Sequence, residues 1–203
     1  MAGRKMAQGR VKREVAEVEK DPEIAKASIK LTLTDPATFA RLEGEIPGPP
    51  ETPYAGGTYR LAIEIPDSYP FSPPKVKFIT KIWHPNISSQ TGAICLDILK
   101  DQWAAAMTLR TVMLSIQALL SAAEPDDPQD AVVAKQYKDD PDLFARTAAH
   151  WACAYAGALP AADSKEQEMI KSMMAMGFDE QTSITALSNK GWNMEAAIES
   201  VLS

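Results

Sequence analysis

The chain has 203 residues, 45% hydrophobic and 24% charged, which is enough for one ordinary domain with a real core plus something small. Its net charge of −6 argues against a nucleic-acid binder held by bulk positive charge. The longest charge-free helical run, Thr111 to Ala123, is too short and too polar to span a bilayer.

The first element is a helix. Val11, Val15 and Val18 recur at helical spacing, Gly9 weakens the first turns, and Asp21-Pro22 stops the element. Its basic residues Arg4, Lys5, Arg10, Lys12 and Arg13 run straight into Glu14, Glu17 and Glu19. The N-terminus has no apolar core of a signal peptide, and this charge pattern does not fit a transit peptide.

The period then changes to two. Ile29, Leu31 and Leu33 alternate with polar residues, as do Tyr59, Leu61, Ile63 and Ile65. Phe39 to Ile46 is a weaker strand and Val76 to Ile79 a fourth. Gly48-Pro49-Pro50 and Ala55-Gly56-Gly57 read as turns. An antiparallel meander of about four strands is expected.

After Thr80 the chain loses regular periodicity for nearly thirty residues, yet it keeps Ile82, Trp83, Ile87, Ile94, Leu96, Ile98, Leu99 and Trp103. A long loop with its own apolar anchors is where a site is expected.

Helices follow. Thr108 caps a run with Leu109, Val112, Met113, Ile116, Leu119 and Leu120 on one face. Pro125 and Pro128 end it in an acidic turn. A short helix over 131–137 and another from Asp140-Pro141 to about Tyr155 complete an α+β domain with its helices on one side of the sheet. Residues 1–156 form this domain and 157–164 a linker. Residues 165–203 hold three short helices with turns at Met176-Gly177-Phe178 and Asn189-Lys190-Gly191. This tail is the more acidic part: residues 161–203 carry three basic and seven acidic groups.

Cys95 and Cys153 form no CxxC, and only two histidines are present, so neither a disulfide framework nor a metal site is expected. A reducing cytoplasmic or nuclear compartment fits. Cys95 reads either as a small buried hydrophobe or, given its place in the long loop, as a nucleophile. Cys153, between alanines on a helix, reads as packing. His84 could be a base for Cys95, although the following Pro85 fixes the backbone and favours a structural role. Asn86 is either a turn-former or a donor to an oxyanion. No phosphate-binding loop is present, so the chain itself is expected to use no ATP and no other cofactor.

Tyr69-Pro70-Phe71-Ser72-Pro73-Pro74, Ile82-Trp83-His84-Pro85-Asn86-Ile87, Gly92-Ala93-Ile94-Cys95-Leu96-Asp97-Ile98-Leu99 and Gln102-Trp103 together resemble the ubiquitin-conjugating enzymes. The resemblance covers about residues 5 to 155. The tail, with Met176-Gly177-Phe178 and Gly191-Trp192-Asn193, resembles a ubiquitin-associated (UBA) domain.

The resemblance implies the conjugating-enzyme fold with a small three-helix bundle after it. It implies that Cys95 accepts ubiquitin from an activating enzyme as a thioester and that a lysine amine then attacks, building polyubiquitin. Asn86 would support the oxyanion or hold the loop, with His84 and Pro85 shaping the site. Asp127 would orient the lysine or take its proton. Arg10, Lys12 and Arg13 match the face that meets the activating enzyme, and Phe71 matches a loop that meets RING ligases. Ala105 and Ala106 lie in the second ligase loop, where many relatives carry proline at the position of Ala105. Met176, Gly177, Phe178, Val201 and Leu202 would bind ubiquitin, and the chain type expected is the one that signals proteasomal degradation. The rival readings are a carrier of another ubiquitin-like modifier, a non-catalytic ubiquitin adaptor and a cysteine hydrolase.

Overall fold

The structure, a computed structural model, describes residues 2–159 and 164–203. Part of the expected linker, residues 160–163, lies outside the described residues.

Helix α1 (Ala2–Val18) is longer than its apolar pattern predicts and passes through Gly9. Ala7 and Val11 are both buried, and this packing holds the early turns despite the glycine. Asp21-Pro22 ends one helix and starts another. Asp21 caps α2 (Pro22–Lys26) by accepting from the backbone of Glu23 and Ile24, and Pro22 needs no donor at the first helical position.

The sheet is the expected meander, β1 (Lys30–Leu33), β2 (Arg41–Pro47), β3 (Thr58–Glu64) and β4 (Lys75–Phe78), each antiparallel to the next. Strand β2 starts later than expected because Phe39 sits in a turn with φ of 57°. That turn is held by the Phe39 amide on the Asp35 carbonyl and by the Thr38 hydroxyl on the Asp35 carboxylate. The inner face carries Leu42, Ile46, Tyr59, Leu61 and Ile63, all buried. The outer face is charged and exposed and includes the Arg60–Glu43 and Lys30–Glu45 ion pairs.

Helix α3 (Leu109–Ser121) lies against the inner face, its start capped by Thr108. Gly44 admits it: a Cβ there would sit 2.6 Å from Met113 Cε. Helices α4 (Ala131–Asp139) and α5 (Pro141–Ala156) pack on each other and begin at caps Asp130 and Asp140. The tail is a bundle of α6 (Lys165–Ala175), α7 (Glu180–Asn189) and α8 (Met194–Leu202), centred on Ile170, Met173, Ile184, Leu187 and Ala197. It rests on α5, where Trp151 Nε1 donates to Ser188 Oγ and Trp192 Nε1 donates to Thr147 Oγ1, both at 2.9 Å.

Candidate active site

The irregular segment after β4 is anchored before it reaches the surface. Trp83 is fully buried against Trp151, with ring centroids 5.0 Å apart, and its indole donates to Gln136 Oε1. Farther along, Gly92 lets the segment touch β4. Its φ is 73°, and a Cβ there would sit 2.1 Å from the Phe78 carbonyl oxygen. Phe78 donates its amide to Gly92, and Gly92 donates to Ser88.

Between these anchors the chain folds back on itself. Ile87 bridges His84 and Ile94, and the Cys95 amide donates to the Asn86 carbonyl at 2.8 Å. The second layer is the acidic turn after α3. The Pro85 carbonyl accepts from the amides of Gln129 and Asp130 at 2.9 and 3.0 Å. Ser89 donates both its amide and its hydroxyl to Asp130 Oδ2. The cysteine segment and residues 124–130 are therefore one hydrogen-bonded unit.

His84 has no exposed surface. Nε2 donates to the Leu119 carbonyl and Nδ1 accepts the Asn86 amide, which fixes a neutral ring. Burial pushes its pKa down to about 4. With both ring nitrogens committed to backbone, His84 is no base for Cys95, and the hydrolase reading loses its histidine.

Asn86 is almost as buried, and its carboxamide is fully committed. Nδ2 donates to the carbonyls of Glu124 and Asp127 at 2.8 and 2.9 Å, and Oδ1 accepts the Glu124 amide at 2.8 Å. Both protons that an oxyanion would need are spent on the acidic turn.

Cys95 is half-buried in an open cleft of about 480 Å³ lined by Asn86, Leu96, Asp97, Leu119, Glu124 and Asp127. Its thiol donates to Asp127 Oδ2 at 3.3 Å, and Lys100 Nζ donates to Sγ at 3.2 Å. The second contact was not foreseen. A lysine five residues after a cysteine carries no periodic signal, and it takes the single 3-10 turn Asp97–Leu99 to bring it back. Cys153 lies half-buried on α5, away from this cleft.

The remaining site candidates are spread over other surfaces. Lys12, Arg13, Ala105 and Ala106 are exposed, and Phe71 is 70% exposed. Arg10 is not a free surface charge: its guanidinium pairs with Glu14 and donates to the Met107 carbonyl. Glu14, missed in the sequence because its face looks solvated, is buried and accepts from Tyr69 Oη and the Leu109 amide at 2.7 and 2.8 Å. In the tail, Met176 and Leu202 are 59% and 73% exposed. Gly177 makes the turn with φ of 99°, and Phe178 and Val201 are half-buried against the bundle.

Comparison with known proteins places this geometry. The family model for ubiquitin-conjugating enzymes matches residues 10–152. The chain belongs to the ubiquitin-conjugating enzymes. A second model, for the UBA/TS-N domain, matches residues 165–201. The human protein named ubiquitin-conjugating enzyme E2 K is 63% identical over 194 residues, 96% of each chain. The Drosophila melanogaster ubiquitin-conjugating enzyme E2-22 kDa is 59% identical over 201 residues, 98% of each. Among solved structures, the E2 domain of a Toxoplasma gondii ubiquitin conjugating enzyme is 48% identical with a TM-score of 0.67, covering 73% of this chain and 98% of that one. Ubiquitin-conjugating enzymes carry ubiquitin as a thioester and work between an activating enzyme and a ligase. No helix among the described residues is long and apolar enough to cross a membrane.

Proposed function

We propose that Cys95 is the ubiquitin carrier of this conjugating enzyme, that Asp127 serves the attacking lysine, and that the tail presents further ubiquitin for chain building. The observation that carries the reading is the position of Cys95. It is reachable from solvent, its thiol is bonded to a carboxylate, and it is fixed by a turn that Asn86 holds from behind. Covalent capture followed by aminolysis splits a difficult acylation into two easier steps. Asp127 is exposed and 3.3 Å from Sγ, within reach of an amine approaching the thioester carbonyl. A carboxylate there helps by orienting the amine and by taking the proton released on attack. The part proposed for Asn86 is to hold the turn that carries Asp127.

The exposed Met176 and Leu202 support ubiquitin binding by the tail, and a bound ubiquitin would gain effective concentration near Cys95. Phe71, Ala105 and Ala106 form the proposed RING-ligase contact, and Lys12 and Arg13 the contact with the activating enzyme.

The test is incubation with activating enzyme, ATP and ubiquitin, read on gels with and without thiol. A thiol-sensitive adduct on Cys95 that passes to lysine and yields chains is expected. An adduct formed with another modifier and not with ubiquitin would overturn the reading.

A further inference from the structure

The sulfur of Cys95 is bracketed by two opposite charges. The Asp127 carboxylate accepts a hydrogen bond from the thiol at 3.3 Å, and the Lys100 ammonium donates to Sγ at 3.2 Å. The backbone builds this pair. Leu99 donates to the Leu96 carbonyl and Lys100 to the Asp97 carbonyl, and the resulting turn folds the Lys100 side chain back over the cysteine.

Among the described residues no carboxylate forms an ion pair with Lys100, although Asp97, Asp101 and Asp127 are close in sequence or space. A lysine is an ammonium at neutral pH, and bonding to the sulfur moves the Lys100 pKa further up. Asn86, which also lines the cleft, has spent both amide protons on the acidic turn.

We propose that Lys100 is a catalytic residue, its ammonium balancing the negative charge that appears on Cys95 Sγ whenever the thioester is made or broken. The proposal rests on Cys95 as the ubiquitin carrier.

In charging, the thiol gives its proton to Asp127 and on to solvent, and Sγ attacks the carbonyl carbon of the incoming thioester. The new C–S bond forms, the old one breaks, and the electron pair leaves on the activating enzyme's sulfur. In discharge, an amine nitrogen attacks the same carbon and the C–N bond forms. The C–S bond to Cys95 then breaks, its electron pair returns to Sγ, and the surplus amine proton passes to Asp127 and solvent. Lys100 keeps its own proton in both directions.

The contact is exposed, so it adds little while the sulfur is a neutral thiol or a thioester. It strengthens only where the sulfur carries charge, at the transition states, and an interaction of that kind accelerates instead of merely binding.

Lys100→Met keeps the length and removes the charge, whereas Lys100→Arg keeps the charge in another shape. Single-turnover charging, discharge onto free lysine, and alkylation of Cys95 by iodoacetamide at neutral pH are measured on each. With Lys100→Met all three should slow about five- to tenfold, and Lys100→Arg should stay within about threefold of the unsubstituted enzyme. Melting curves check that both variants are folded.

Unsubstituted enzyme that fails to charge would sink the carrier reading itself. Unsubstituted enzyme that charges, with Lys100→Met equally fast in all three assays, would overturn the role of Lys100 alone. So would equal slowing by Met and Arg. Mass spectrometry showing ubiquitin mainly on Lys100 itself would also overturn it, since the residue would then be an acceptor.

Discussion

Trp151, on α5 of the core, donates its indole N–H to Ser188 Oγ on α7 of the tail at 2.9 Å, and both residues are buried. The reverse bond runs from Trp192 of the tail to Thr147 of the core. Each domain therefore supplies one indole and one hydroxyl to a shared interface, and Arg146 reaches Glu166 at its edge.

Removing both hydroxyls tests this interface. Thr147→Val with Ser188→Ala strands two buried indole donors, each at a cost of about 1–3 kcal/mol. The tail should then leave α5 instead of holding those groups dry. Backbone 15N relaxation should give one tumbling time for core and tail in the unsubstituted protein and a shorter one for the tail in the double variant, with charging of Cys95 unchanged. A single tumbling time in the variant would contradict a docking that depends on these bonds.

The two cysteines separate cleanly. Cys95→Ser should carry ubiquitin as an oxyester that survives thiol and is cleaved by alkali. Cys153→Ser, half-buried on α5 away from the cleft, should charge at the ordinary rate. Loss of charging in a folded Cys153→Ser protein would reverse the assignment.

Asn86 is expected to act through the acidic turn. Asn86→Ala leaves the Glu124 amide and the carbonyls of Glu124 and Asp127 without their partner, about 2–3 kcal/mol of local stability. Hydrogen exchange at Gln129 and Asp130, whose amides rest on Pro85, should quicken, and single-turnover discharge should slow by more than charging does. A donor acting only on an oxyanion would slow discharge and leave exchange in the turn untouched, so unchanged exchange would refute the turn-holding role.

His84 makes stability fall with acid. Its folded pKa is pushed down to about 4, below the ordinary 6.5, so between those values the unfolded chain binds a proton that the folded chain refuses. The contribution is complete above about pH 6.5 and is lost as pH falls toward 4. From pH 7 to pH 5 the loss is about 2 kcal/mol. His150, lowered by burial despite Glu166 and Glu180 nearby, adds in the same direction. His84→Gln should be less stable overall but flatter by about that 2 kcal/mol across the same range in denaturant titrations. Equal slopes would place the acid sensitivity elsewhere.

Much of this was legible from residue order because it is local. Thr108 and Asp140-Pro141 cap helices as written, since a cap needs only its own next three residues. The alternation of β3 places Tyr59, Leu61 and Ile63 inward without reference to the rest of the chain. What escaped depends on distant partners or on irregular backbone. Glu14 looks like one more surface charge until Tyr69 and Leu109 close over it. Ser188 and Trp192 look like parts of the tail until α5 receives them. Lys100 has no helical or strand spacing to Cys95, and only the 3-10 turn joins them.

The tail's exposed apolar turn gives the remaining prediction. Met176 is the C-cap of α6, Gly177 turns the chain with a positive φ, and Leu202 is the last residue of α8. Met176 and Leu202 give most of their surface to solvent, whereas Ile170, Met173 and Leu187 form the bundle's centre. Removing Met176 should therefore cost the bundle little. Methionine is also suited to adaptable surfaces because its chain is unbranched and polarizable. Phe178 is a poorer probe, since it is half-buried against the bundle and its loss would mix folding with binding. Met176→Ala should weaken ubiquitin binding about three- to tenfold, as expected for one partly buried side chain in a small patch. The melting temperature and the charging rate of Cys95 should stay where they are. NMR titration of the labelled full chain with ubiquitin decides it: shifts should centre on 176–178 and 201–202. Their absence at millimolar ubiquitin would rule this surface out.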